Sequence, residues 1–135
     1  MKNFILMILF SIWVALPTYA DTLFLVVDVS DSIGDDRNIV QLESYAKAMN
    51  WITPLSGYNI EVIFYASSAS LVSSGSRHNA EAAFLAEANN KSISRNRTCL
   101  YDALILVETI MDSLPPGKKI VDISGDGEPN CHKQN

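Results

Sequence analysis

Leu23-Phe24-Leu25-Val26-Val27-Asp28-Val29-Ser30-Asp31-Ser32 is the stretch on which the reading of the chain turns. Its first half is an unbroken apolar run, too short for a helix and rich in branched side chains. Such a run marks a strand buried on both faces, as in a parallel sheet. Its second half turns abruptly polar, and Asp28, Ser30, Asp31 and Ser32 crowd oxygen-bearing side chains onto the end of that strand. A buried strand delivering carboxylates and hydroxyls to its carboxyl end is the arrangement by which open α/β sheets build binding sites.

Working outward, Asp35 and Asp36 open a helical pattern with apolar residues at Ile39, Leu42, Ala46 and Met49, continuing to Trp51 and Ile52. Acids in a first turn favour the helix dipole, and Pro54 and Gly57 stop the pattern. Ile60 to Tyr65 predicts a second strand, and Ser70 to Ser74 a short third one. Asn79 to Asn89 predicts a helix with Ala83, Phe84 and Ala86 toward a core, followed by a polar loop carrying Lys91, Arg95 and Arg97. From Leu100 an amphipathic helix runs through Ala103, Leu104, Val107, Ile110 and Met111 to Leu114, ended by Pro115-Pro116-Gly117. The apolar stripes of both long helices read as core. Ile120 to Ile123 is the next strand, closing on Ser124-Gly125-Asp126-Gly127. Strands alternating with helices predict right-handed crossovers and an α/β fold, a Rossmann-like doubly wound, mostly parallel sheet flanked by helices.

Composition narrows the function. With 135 residues, 48% hydrophobic and 19% charged, the chain suits one globular domain. A formal charge of -5 supplies no basic field for nucleic acid. The first twenty residues stand apart. Lys2 precedes an apolar run from Phe4 to Leu16, and Pro17-Thr18-Tyr19-Ala20 supplies the small residues that a signal peptidase reads. The run falls short of the roughly 20 residues that span a bilayer. Residues 1–20 are therefore expected to be a cleaved secretory signal, and 21–135 the domain, secreted or periplasmic, with no stable membrane insertion after cleavage. Export permits disulfides, and Cys99 and Cys131, the only two cysteines, are expected to pair. His78 and His132 stand alone in polar surroundings and read as surface residues.

Two acidic loops belong together if the first and last strands are neighbours, because Asp28 and Asp126 then meet at one sheet edge, which Thr98, just before the long helix, can also reach. A hard dication such as Mg2+ takes oxygen ligands and keeps some of its waters. Asp28 and Asp126 would supply charge, and Ser30, Ser32 and Thr98 short neutral oxygens. Each residue also has a plainer reading: the serines as turn or capping residues, Asp126 as part of an Asp-Gly turn. Asp102 reads as an acid favoured by the dipole of its helix.

Asp28-Val29-Ser30-Asp31-Ser32 resembles the D-x-S-x-S loop of von Willebrand factor A (VWA) domains, their metal-ion-dependent adhesion site. Thr98 before an Ala/Leu-rich helix and Asp126 in an Asp-Gly turn match the other two elements in order and spacing. The phrases Leu-Val-Val-Asp-Val-Ser and Val-Asp-Ile-Ser-Gly-Asp-Gly are similar to an uncharacterised bacterial family of exported VWA-like proteins. The resemblance covers about Leu23 to Asn130. It implies a divalent cation, Mg2+ or else Mn2+ or Ca2+, held directly or nearly so by Ser30, Ser32 and Thr98, with Asp28 and Asp126 acting largely through water. One position would be left for an acidic residue of a protein partner, and no bond would be broken. Asp31 stands where these loops commonly carry Gly, and the chain is expected to be truncated at its C-terminus, since a full VWA domain continues past the Asp126 turn. The rival readings are a Mg2+-dependent, phosphatase-like hydrolase, whose D-x-D motif would need an acid where Ser30 stands, and a metal-free VWA scaffold.

Overall fold

A computed structural model of the chain describes residues 20–52, 55, 57–90, 96–126 and 131, with the backbone alone at Ser32 and Asn90. The expected N-terminal signal, Lys91, Arg95, Glu128 and His132 lie outside the described residues.

Among those described, the elements run β1 (Asp21–Asp28), a single 3-10 turn (Asp31–Ile33), α1 (Asp35–Trp51), β2 (Tyr58–Tyr65), β3 (Ala69–Gly75), α2 (Arg77–Asn90), α3 (Leu100–Ser113) and β4 (Lys119–Ser124). The sheet order is β3-β2-β1-β4. β1 is parallel to both its neighbours, with Leu23 opposite Ile60 of β2 and Ile120 of β4. β3 alone is antiparallel, folding back on β2 with an irregularity at Val62/Ile63. The first and last of these strands are thus adjacent, and the carboxyl end of β1 sits where the strand order reverses.

Alternation along β1 and β2 divides the interior into two layers. Leu25, Val27 and Val29, with Ile60, Val62 and Phe64, pack against Leu42, Ala46 and Met49 of α1 and Ala80 and Phe84 of α2. Phe24, Val26, Ile63 and Tyr65 face the other way, onto Ala103 and Val107 of α3. The central strands are buried on both faces, which is why they read as continuous apolar runs. Phe84 is fully buried between Tyr45, stacked at 5.0 Å, and Phe64 at 5.7 Å. Truncating a ring so placed costs about 3–5 kcal/mol.

The helical stripes are narrower than expected. Trp51 is 84% exposed, and Ile52, Leu104 and Ala86 also face solvent. The cause is helix phase at about 100° per residue. Leu42, Ala46 and Met49 aim α1 at the sheet, and Trp51 lies two residues past Met49, on the far side. Leu104 is turned away by its neighbour Ala103. On α2 the buried positions are Ala80, Phe84 and Glu87, which places Ala86 outside.

Candidate metal-binding site

Asp28 is the last residue of β1 and has no exposed surface. The chain leaves the strand with Val29 N–H still donating to the Tyr65 carbonyl (2.9 Å). It then turns so that the Ser30 N–H donates to Asp28 Oδ1 at 2.8 Å. The 3-10 turn is closed by bonds from Ile33 N–H to the Ser30 carbonyl and from Gly34 N–H to the Asp31 carbonyl. Gly34, at φ +80°, adopts a backbone that side chains disfavour and redirects the chain into α1. Two residues of α1 clamp the loop from behind: Asn38 Nδ2 donates to the Val29 carbonyl (3.3 Å) and Gln41 Nε2 to the Asp28 carbonyl (3.1 Å).

Thr98 arrives from a different part of the chain. Cys99 N–H donates to the Ala66 carbonyl just past β2 (2.7 Å), fixing the entry to α3. The Thr98 hydroxyl then donates to Ser30 Oγ at 2.9 Å, both residues being buried. Ser30 precedes the 3-10 turn but makes no side-chain capping bond to it. Its hydroxyl instead meets Thr98 and the Asp28 carboxylate, so the plain capping reading fails for this residue.

The third segment comes from the end of β4. Gly125 backs onto the carboxylate of Asp28, and Asp126 follows, exposed to solvent. Burial raises the pKa of Asp28; the Ser30 hydrogen bonds oppose this, and the charge of Asp126 adds to it. The structure therefore brings Asp28, Ser30 and Thr98 into one bonded cluster and sets Asp126 within electrostatic reach. The side chain of Ser32 lies outside what is described. A disulfide joins Cys99 to Cys131, with Cα atoms 5.0 Å apart, and so ties the residue after Thr98 to the segment that follows Asp126.

Asp28 Oδ2 is buried and, among the described residues, has no hydrogen-bond donor. An ionised oxygen so placed is costly unless positive charge reaches it. Among the described residues no three His, Cys, Asp or Glu side chains gather to hold a metal; the oxygens beside the Asp28 carboxylate are the hydroxyls of Ser30 and Thr98, with the carboxylate of Asp126 within electrostatic reach. All are hard oxygens, and the set fits a hard divalent cation.

Three residues around this cluster, Asn38, Gln41 and Tyr65, escape a reading of motifs, and the role of Gly125, though it lies in a quoted motif, does too. Asn38 sits four residues before Leu42, on the sheet-facing stripe of α1, and a polar residue there is the one trace the sequence carries of its role. Gln41, Tyr65 and Gly125 carry none. Tyr65 pairs with Asp28 across β1 and β2, and its hydroxyl donates to the Ser124 carbonyl at 3.4 Å, holding the end of β4. Burial, then the charges of Asp28 and Asp126, push that hydroxyl up to about 12.

No family model and no curated protein match the sequence. Solved structures do. The vWF domain of the type V pili tip protein Mfa5 from Porphyromonas gingivalis superposes with a TM-score of 0.58 at 15% identity, over 83% of this chain and 39% of that one. The ArnB paralog VWA2 from Sulfolobus acidocaldarius does so with 0.60 at 17% identity, over 85% of this chain and 29% of that one. The chain thus spans well under half the length of either. At these identities the likeness is one of fold: the chain has a VWA-like α/β fold.

Proposed function

We propose that this VWA-like chain is an exported binding module. It holds a divalent cation, Mg2+ foremost, at Asp28, Ser30, Ser32, Thr98 and Asp126, and binds a protein partner through an acidic residue of that partner. The observation that carries the reading is Asp28 Oδ2, a buried carboxylate oxygen with no donor among the described residues, beside the Ser30–Thr98 hydroxyl pair. Bound there, the cation would supply a positive centre to which a partner's carboxylate is drawn. Ser30 orients Asp28 through its N–H, Thr98 orients Ser30, and Asn38 and Gln41 hold the loop backbone, so little has to reorganise on binding. Ser30 stands where a D-x-D hydrolase would place its second acid, which favours binding over hydrolysis. An exported binding role also suits a fold shared with a domain of a pili tip protein. Among the described residues no helix is long and apolar enough to cross a membrane.

Unfolding midpoints in EDTA, Mg2+ and Mn2+ test the proposal. Metal at roughly 100 times its dissociation constant should stabilise the protein by about 2.7 kcal/mol. Asp28→Ala should abolish that response, and pulldown of a partner from the exported fraction should be lost in EDTA. Partner binding that persists in EDTA, with no metal shift in the wild type, would replace this reading by the metal-free scaffold.

A further inference from the structure

Beside the candidate site, between α1 and the end of β4, the surface opens into a cleft of about 260 Å3 lined by Ile33, Arg37, Gln41, Gly125 and Asp126. Its walls are the site's own supports. Gln41 holds the Asp28 carbonyl, and Gly125 is the residue that backs onto the Asp28 carboxylate. Pockets that enclose a whole small molecule measure about 300–1,000 Å3, so this one suits a side chain or two of an extended segment.

Arg37 gives the cleft its character. It is exposed, it lines both this cleft and the adjoining one formed by Ile33, Gly34, Asp35 and Asp36, and among the described residues its guanidinium enters no ion pair. A guanidinium offers five N–H donors in a fork matched to a carboxylate. Among the described residues that fork is unspent, although acids stand along the neighbouring wall. Asp126, also in the lining, would repel an incoming carboxylate unless a cation offset its charge.

We propose that the cleft is the seat of a second carboxylate. The partner presents two acidic groups on one short extended segment, one completing the cation site and the other gripped by Arg37. This rests on the reading of the site as a cation-dependent binding module and adds to it the partner's chemistry. It also makes both contacts cation-dependent, since Asp126 closes the cleft to anions when no cation is bound.

The test uses the whole chain loaded with Mn2+, whose binding is read by water-proton relaxation, and two probes, acetate and glutarate. Glutarate should bind the loaded protein roughly fivefold tighter than acetate, beyond the twofold that two equivalent groups give by counting. Arg37→Ala should reduce the preference to that twofold while Mn2+ still loads, and Arg37→Lys should retain part of it. EDTA should abolish binding of both probes. If Mn2+ loads and acetate binds, but the wild type shows only the twofold preference or Arg37→Ala keeps the larger one, the second seat is wrong and the cation site stands. If Mn2+ does not bind, or glutarate binds equally well in EDTA, the cation site itself is wrong and the clamp falls with it.

Discussion

Gly125 lies against Asp28 so closely that a Cβ at position 125 would stand 3.1 Å from Asp28 Oδ2 and 2.6 Å from Tyr65 Oη. Neither neighbour can yield easily, since both are buried at the ends of adjacent strands. Gly125→Ala should therefore push the Asp126 turn away from Asp28, costing about 1–3 kcal/mol of stability and most of the metal response. Gly57→Ala, where a Cβ meets nothing within 4 Å, is the control and should be close to neutral. Thermal midpoints of both variants with and without Mg2+ decide the matter.

The hydroxyl pair makes a second expectation. Thr98→Val keeps the shape of the side chain but takes the donor from Ser30 Oγ in a buried setting. Measured in EDTA, it should lose about 1–3 kcal/mol, whereas Thr98→Ser should stay near wild type. A loss in Thr98→Ser with none in Thr98→Val would mean that the methyl packing, and not the hydrogen bond, is what matters.

Asp28 should act against the metal-free fold. Its pKa is raised chiefly by burial, so its contribution to stability is full below the ordinary value of 3.8 and is lost as pH rises through the higher value of the folded state. In EDTA at neutral pH, Asp28→Asn should thus be more stable than the wild type, and the gap should close on acidification. Urea unfolding of the pair at several pH values gives the answer; a wild type that outlasts Asp28→Asn at neutral pH would contradict it.

Tyr65 offers a test at the alkaline end. With its hydroxyl pushed up to about 12 from an ordinary 10, the fold favours the neutral phenol. That contribution is present below about pH 10 and is lost as pH rises toward 12. Tyrosinate absorbance should show one late-titrating group that is missing from Tyr65→Phe, and the variant should lose less stability across that range.

Reduction should loosen the whole arrangement. The Cys99–Cys131 bridge closes a segment with a sequence separation of 32, for which restricting the unfolded chain stabilises by about 3.7 kcal/mol. Cys131→Ser should lower the unfolding midpoint accordingly and weaken metal binding, because the bridge joins the segments that carry Thr98 and Asp126. A variant that loses stability but binds metal as before would confine the bridge to a purely structural role.

The order of elements, the doubly wound sheet and the placing of Asp28 and Ser30 at the carboxyl end of the first strand were legible in the sequence, because they follow from local causes. A five-residue apolar run ending at Asp28 can satisfy its backbone only inside a sheet, and the spacing of Leu42, Ala46 and Met49 closes only on a helix. What the tertiary structure alone decided is which groups face one another. That Thr98 donates to Ser30, 68 positions away, depends on where Ala66 anchors Cys99, and no periodicity encodes it. Gln41 and Tyr65 entered the site through the phase of α1 and the register of β2, and Gly125 through the close approach of β4 to β1. Trp51 and Leu104 were misplaced for the same reason. A stripe of apolar letters marks a helix as amphipathic, but the packing of Ala46 and Ala103 against the sheet sets its rotation, and that depends on surfaces brought from elsewhere in the chain.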